Sequence, residues 1–140
     1  MELKYKCASL DTNVLIRLII RDNEEQHKCA LNLVLNGKDY YVDDYVVMEA
    51  VYVLTKEKYT RKDIVDSLRL LLDSDIFIYN KKFFTPVFER YLSHPFLSFN
   101  DCVIEAKVNE KYALPLWTFD HKFAQQSSTA KLLSPSGTIS

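Results

Sequence analysis

Tyr5-Lys6-Cys7-Ala8-Ser9-Leu10-Asp11-Thr12-Asn13-Val14-Leu15-Ile16-Arg17 is the stretch whose reading decides the fold. Tyr5 to Leu10 reads as a short buried strand ending at the carboxylate of Asp11. From Thr12 to Ile20 the period changes. Val14, Leu15, Leu18 and Ile19 fall on one side of a helix. Strand, acid and helix recur in the same order near the other end, where Leu114 to Phe119 reads as a strand, Asp120 follows it, and His121 to Gln126 reads as a short helix.

The chain between them alternates in the same way. Asn23 caps a helix over Glu24 to Leu35, which Asn36-Gly37 closes. Tyr40 to Val42 is a strand, and Asp43-Asp44 cap a helix running to about Tyr59. Thr60, with Asp63 three residues on, caps a helix whose apolar positions are Ile64, Leu68, Leu71 and Leu72. Ile76 to Tyr79 is a strand. Lys81 to Leu92 is helical, with Pro86 marking a start or a kink. Ser98 to Tyr112 is a helix, and Lys131 to Leu133 a last strand. Strands alternating with helices predict an α/β three-layer fold with a mostly parallel sheet. Residues 1–134 are expected to form a single domain and 135–140 a flexible tail.

Composition narrows the function classes. Of 140 residues 48% are hydrophobic, with only two glycines and four prolines, enough for a core and long regular elements. The net charge is −1, so any contact with nucleic acid must come from a local patch. Cys7, Cys29 and Cys102 are odd in number and lack C-x-x-C spacing, which predicts buried free thiols in a reducing compartment. His27, His94 and His121 are scattered, against a zinc site. Charges at the N-terminus argue against a secretory signal, and no apolar run is long enough for a membrane span. A cytoplasmic protein without membrane contact is expected.

Four acids carry the chemistry: Asp11, Glu49, Asp101 and Asp120. Functional groups of open α/β sheets gather at the carboxyl ends of strands, where Asp11 and Asp120 lie. Either could be a helix N-cap alone. Glu49 sits in Val46-Val47-Met48-Glu49-Ala50-Val51 with no basic residue three or four positions away, so it needs solvent or a distant partner. Asp101 opens a helix in which Glu105 is a repelling i+4 neighbour; it can be a first-turn acid or a site residue. If the four met, their repulsion would call for a cation, and carboxylate oxygens suit Mg²⁺ or Mn²⁺. Such a site activates water and stabilises the leaving oxygen of a phosphodiester.

The motifs resemble those of the PIN-domain family. Asp11-Thr12-Asn13-Val14-Leu15-Ile16-Arg17 is similar to its opening motif, Glu49 in its apolar helix to its second acid, and Asn100-Asp101-Cys102-Val103-Ile104 to its third. Leu116-Trp117-Thr118-Phe119-Asp120-His121-Lys122-Phe123 resembles its T-x-D-x-x-F signature. Order and spacing match from near residue 5 to near residue 133, most closely in the manner of VapC-type toxins. The resemblance implies a five-stranded parallel sheet flanked by helices, Mg²⁺-dependent endoribonuclease activity, a homodimer and a small protein antitoxin. It implies that Asp11, Glu49, Asp101 and Asp120 form the catalytic and metal site, with Thr12, Asn13 and Thr118 as supporting polar groups. Ser98 stands where related proteins often carry an acid, which weakens a second metal position.

Arg17 and Lys122 are candidate phosphate contacts, with an ion pair or a solvated helix start as their plainer readings. Tyr40, Tyr41, Tyr45, Tyr52, Phe83, Phe84, Phe88 and Tyr91 are core or base-stacking candidates. Leu68-Leu71-Leu72 and Phe83-Phe84 are candidates for burial under a partner. A phosphatase or phosphoreceiver is disfavoured, because Asp11-Thr12-Asn13 stands in place of D-x-D-x-T. A housekeeping RNA-processing nuclease and a non-catalytic RNA-binding or scaffold domain of the same fold are the alternatives to a toxin.

Overall fold

In the computed structural model residues 7–134 are described. They form seven helices and four short strands: α1 Thr12–Ile19, α2 Glu24–Leu35, β1 Tyr40–Tyr41, α3 Asp44–Lys56, α4 Arg61–Leu72, β2 Phe77–Ile78, α5 Lys81–Ser93, α6 Phe99–Glu110, β3 Leu116–Thr118, α7 His121–Gln126 and β4 Ala130–Leu132. The chain divides between Lys81 and Lys82 into two compact units. The expected tail, 135–140, lies outside the described residues.

In the first unit the strands pair in parallel. β1 registers Tyr40 with Phe77 and Tyr41 with Ile78 of β2. The strand expected over Tyr5 to Leu10 begins outside the described residues; within them Ser9 bridges Tyr41 in parallel and Leu10 N donates to Tyr41 O at 3.0 Å. The apolar faces read from the sequence are buried in part: α4 buries Ile64, Leu68 and Leu72 with Leu71 half-buried, whereas of Val14, Leu15, Leu18 and Ile19 only Leu15 is buried, joined by Ile16. Leu15, Val47, Leu54, Ile64, Leu68 and Leu72 are almost wholly removed from water. His27 is also buried, with Nδ1 2.8 Å from Arg17 O, which occupies a carbonyl in the last turn of α1.

Caps set most helix starts. Asn23 accepts from Gln26 N, Asp43 from Tyr45 N and Thr60 from Asp63 N. Two helix ends fall short of expectation. α3 stops at Lys56 rather than near Tyr59, and α6 at Glu110 rather than Tyr112. The chain reverses through Lys58 at φ 70° and Tyr112 at φ 53°, left-handed conformations that neither residue advertises in sequence. Asn36-Gly37 closes α2 as expected, with Asn36 the C-cap, and the left-handed residue of this turn is Asp39, at φ 63°. Gly37 is required for space. A Cβ there would strike the phenol of Tyr40, whose Oη donates to Leu33 O at 2.9 Å.

The second unit has an aromatic core. Phe84 stacks on Phe99 with ring centroids 6.2 Å apart, and Tyr91 meets Phe99 edge-on at 5.2 Å. α5 continues through Pro86. β3 pairs in parallel with β4, Leu116 to Ala130 through Thr118 to Leu132. Among the described residues the strands therefore lie in two sheets, β1–β2 and β3–β4, rather than one five-stranded sheet. Runs of two or three residues leave little ladder to join them.

A charged pair lies within this unit, its carboxylate buried and its guanidinium partly exposed. Arg90 Nε donates to Glu105 Oε1 at 2.6 Å and Nη2 to Oε2 at 3.1 Å, with Glu105 6% exposed. Arg90 Nη2 also donates to Gln126 O at 2.8 Å, and Ser127 Oγ donates to Glu105 Oε2. Ser127 Oγ in turn accepts from Ala130 N at 3.0 Å, so one network ties α5, α6 and the α7–β4 corner.

Several sequence expectations are corrected. Only Cys102 is buried; Cys7 is half-buried and Cys29 exposed, and all three are free thiols. Leu68, Leu72, Phe83 and Phe84 are buried within the chain itself rather than awaiting a partner. Among the described residues no helix is long and apolar enough to cross a membrane.

Removing Glu105 takes from Arg90 its carboxylate partner and from Ser127 its acceptor. Glu105→Ala is expected to lower unfolding stability by about 3 kcal/mol in denaturant titration. Asp66→Ala, which breaks the exposed Lys62–Asp66 pair, should leave the midpoint unchanged.

Candidate functional site

Asp11 is the N-cap of α1. Its extended backbone (φ −76°, ψ 159°) turns the carboxylate onto the helix start, and Oδ1 accepts from Thr12 N at 2.8 Å. Thr12 is buried at 4% exposure, and its Oγ1 donates to Glu49 Oε1 at 2.7 Å. The distant partner that Glu49 needs is thus Thr12, and one threonine joins two of the four acids. Its amide holds Asp11 and its hydroxyl holds Glu49. Both bonds leave carboxylate oxygens for other ligands, because each engages one oxygen.

Asn13 is exposed on the first turn of α1. It shares a shallow hollow with Arg17, Gln26 and Cys29. Arg17, a candidate phosphate contact, is ion-paired with Asp22.

In the second unit the acids have capping roles. Asp101 and Ser98 form a reciprocal box: Asp101 N donates to Ser98 Oγ at 3.1 Å and Ser98 N to Asp101 Oδ2 at 3.2 Å. Ser98, where an acid was missing from the expected pattern, is the helix cap. Asp120 is the N-cap of α7 and accepts from Phe123 N at 3.1 Å, while its own N–H donates to Thr118 Oγ1 at 3.0 Å. Thr118 therefore supports the Asp120 turn directly. Lys122 Nζ lies 5.8 Å from the centroid of the Phe96 ring, so the loop leading to Ser98 and Asp101 runs beside the first turn of α7.

The structure brings Asp11 and Glu49 together through Thr12. Among the described residues no three His, Cys, Asp or Glu side chains form a group able to hold a metal ion. The donor chemistry nevertheless fits a hard divalent cation. Mg²⁺ keeps several waters and is held by one or two carboxylates plus substrate phosphates, without an all-protein cage. Asp11 and Glu49 supply that number.

The PIN domain family matches residues 8–127, from the first strand segment through Ser127. The chain belongs to the PIN domain family. PIN domains are typically metal-dependent nucleases, and PIN nucleases act on RNA. No curated protein matches the sequence. The PIN match spans all four acids and both motif threonines.

Glu105 is the residue that sequence reasoning misjudged. It was read as a repelling neighbour of Asp101, yet it is buried against Arg90. The signal was present: Cys102-Val103-Ile104-Glu105-Ala106 is an acid in an apolar helix, the pattern that singled out Glu49.

Thr12→Val keeps the side-chain shape and removes the donor to Glu49. It is expected to destabilise the protein by about 2 kcal/mol in denaturant titration, while Thr12→Ser loses less than half of that.

Proposed function

We infer that this PIN domain is a divalent-cation-dependent endoribonuclease that hydrolyses RNA phosphodiester bonds. The observation that carries the reading is the Asp11–Thr12–Glu49 arrangement, two carboxylates held by one buried threonine, Asp11 through its amide and Glu49 through its hydroxyl, in a chain of a nuclease family. Asp11 and Glu49 would hold Mg²⁺ or Mn²⁺, and the likeness of their motifs to the family's gives Asp101 and Asp120 a catalytic and metal-binding role as well. When bound, the ion supplies Lewis-acid polarisation of a phosphate oxygen and an acidified water.

The chain's own residues do the rest. Thr12 orients the Glu49 carboxylate, leaving its other oxygen for an ion or a water proton. Ser98 and Thr118 hold the backbone turns that present Asp101 and Asp120. Lys122 offers a cation to a flanking phosphate, and Arg17 would do so on release from Asp22. The finer role is that of a VapC-type toxin, a cytoplasmic homodimer silenced by a small protein antitoxin. Support for that role is the likeness of the four motifs in order. A short antitoxin reading frame directly upstream separates it from a housekeeping RNA-processing enzyme.

Purified protein is expected to cut RNA in Mg²⁺ or Mn²⁺ and to stop in EDTA. Asp11→Asn and Asp101→Asn should each lower the cleavage rate by roughly two orders of magnitude or more with the fold intact by circular dichroism. Folded variants that cut as fast as the wild type would overturn the site.

A further inference from the structure

Arg17, Lys62, Lys81 and Arg90 are each paired with a carboxylate. Lys131 has a different setting. With His121, Gln125 and Ser128 it lines a hollow of about 380 Å³ between α7 and β4. All four side chains are exposed, and among the described residues none of them has a hydrogen-bond or ion-pair partner. His121 and Gln125 stand one turn apart on α7 and so share a face. The small side chains of Ala124 and Ala130 leave the space open. No carboxylate lines it. Asp120, although next to His121 in the chain, turns its carboxylate onto Phe123 N. The wall behind the hollow is already fixed. Ser127 Oγ donates to the buried Glu105 and accepts from Thr129 N at 3.1 Å and Ala130 N at 3.0 Å. The corner that carries Ser128 and Lys131 therefore needs little ordering when a ligand arrives.

We propose that this hollow binds the phosphate monoester of a ribonucleotide, with Lys131 as its counter-charge and His121, Gln125 and Ser128 donating to its oxygens. Every polar side chain that lines it can donate a hydrogen bond, and an ammonium supplies fixed positive charge. That set suits an oxyanion with several acceptor oxygens. A monoester carries about two negative charges on three terminal oxygens. An internal diester carries one charge on two free oxygens, which a lone surface lysine can meet. Donors from a helix, a corner and a strand thus favour the monoester. The hollow is also roomier than a bare phosphate needs and lies at the lower end of small-molecule sites. The methyl groups of Ala124 and Ala130 offer apolar surface to the attached ribose. The proposal rests on the nuclease reading for the source of the group, the end of an RNA chain. An end held here is anchored at the helix that Asp120 caps, so chains with a phosphorylated end are preferred.

The test compares one short oligoribonucleotide, labelled internally for anisotropy, in three forms: 5′-phosphorylated, 3′-phosphorylated and with both ends hydroxyl. Each is titrated into the protein in EDTA. One phosphorylated form should bind roughly tenfold more tightly than the hydroxyl form. Lys131→Ala should abolish that preference and Gln125→Ala should reduce it, whereas Lys131→Arg keeps it. Lys111→Ala, at an exposed lysine of the same unit outside the hollow, should leave it within about twofold. Adenosine monophosphate and adenosine are then added as competitors. Displacement by the monophosphate extends the site to free nucleotides, and failure to displace confines it to RNA ends; adenosine should displace in neither case. Circular dichroism checks the variants, and Gln125→Ala carries the test if Lys131→Ala does not fold. Equal affinity for the three forms, a preference that survives in folded Lys131→Ala, or displacement by adenosine each overturn the site. Added Mg²⁺ separates the two readings. A phosphate preference without cleavage contradicts the nuclease and leaves the hollow, whereas cleavage with equal affinity for all three forms contradicts the hollow and leaves the nuclease.

Discussion

The hydrogen bond from the buried Thr12 hydroxyl to Glu49, 2.7 Å long, is the constraint on which the candidate site depends. Glu49 sits on a largely apolar helix and needs a donor there. Thr12 is the first residue of α1 because Asp11 caps that helix, and Asp11 is where it is because the strand segment at Ser9 and Leu10 pairs with Tyr41. Strand pairing, helix capping and carboxylate orientation are therefore links in a single chain of causes. Losing the donor would strand a half-buried carboxylate, which costs more than the bond itself contributes.

The second unit presents its acids by a different device. Asp120 caps α7 and Asp101 is the third-position acid of the box that Ser98 caps, and a backbone N–H aims each carboxylate. A cap fixes one oxygen and leaves the other to a ligand, so capping and cation binding are compatible roles for the same residue. Deeper in this unit the Arg90–Glu105–Ser127 network holds the α7–β4 corner to α5 and α6. Because Asp120 starts α7 and Asp101 lies one turn before Glu105, the pair braces the elements that carry both acids.

Much of this was legible in the residues. Asn23, Asp43 and Thr60 cap the helices that their side chains suggested, and the apolar spacing gave most of the buried face of α4, though only Leu15 of the face read for α1. The requirement of Glu49 for a distant partner could be read, but not the partner, because Thr12 is 37 positions away. The ends of α3 and α6 were hidden, since lysine and tyrosine at left-handed positions carry no local signature. Asn36-Gly37 closes α2 as its residues suggest, but the room that Gly37 leaves for Tyr40 could not be read locally. Strand positions were approximately right, whereas their joining into one sheet depends on long-range pairing that local patterns do not encode.

The central claim is that Asp11 and Glu49 are held ready for a divalent cation. Titration of Mn²⁺ into the protein without RNA, followed by the electron paramagnetic resonance of the free ion, tests it without reference to catalysis. Saturable binding by the wild type, weakened at least tenfold in a folded Glu49→Gln variant, is the expected result. Equal binding by the two proteins, or no saturable binding by either, would contradict the account.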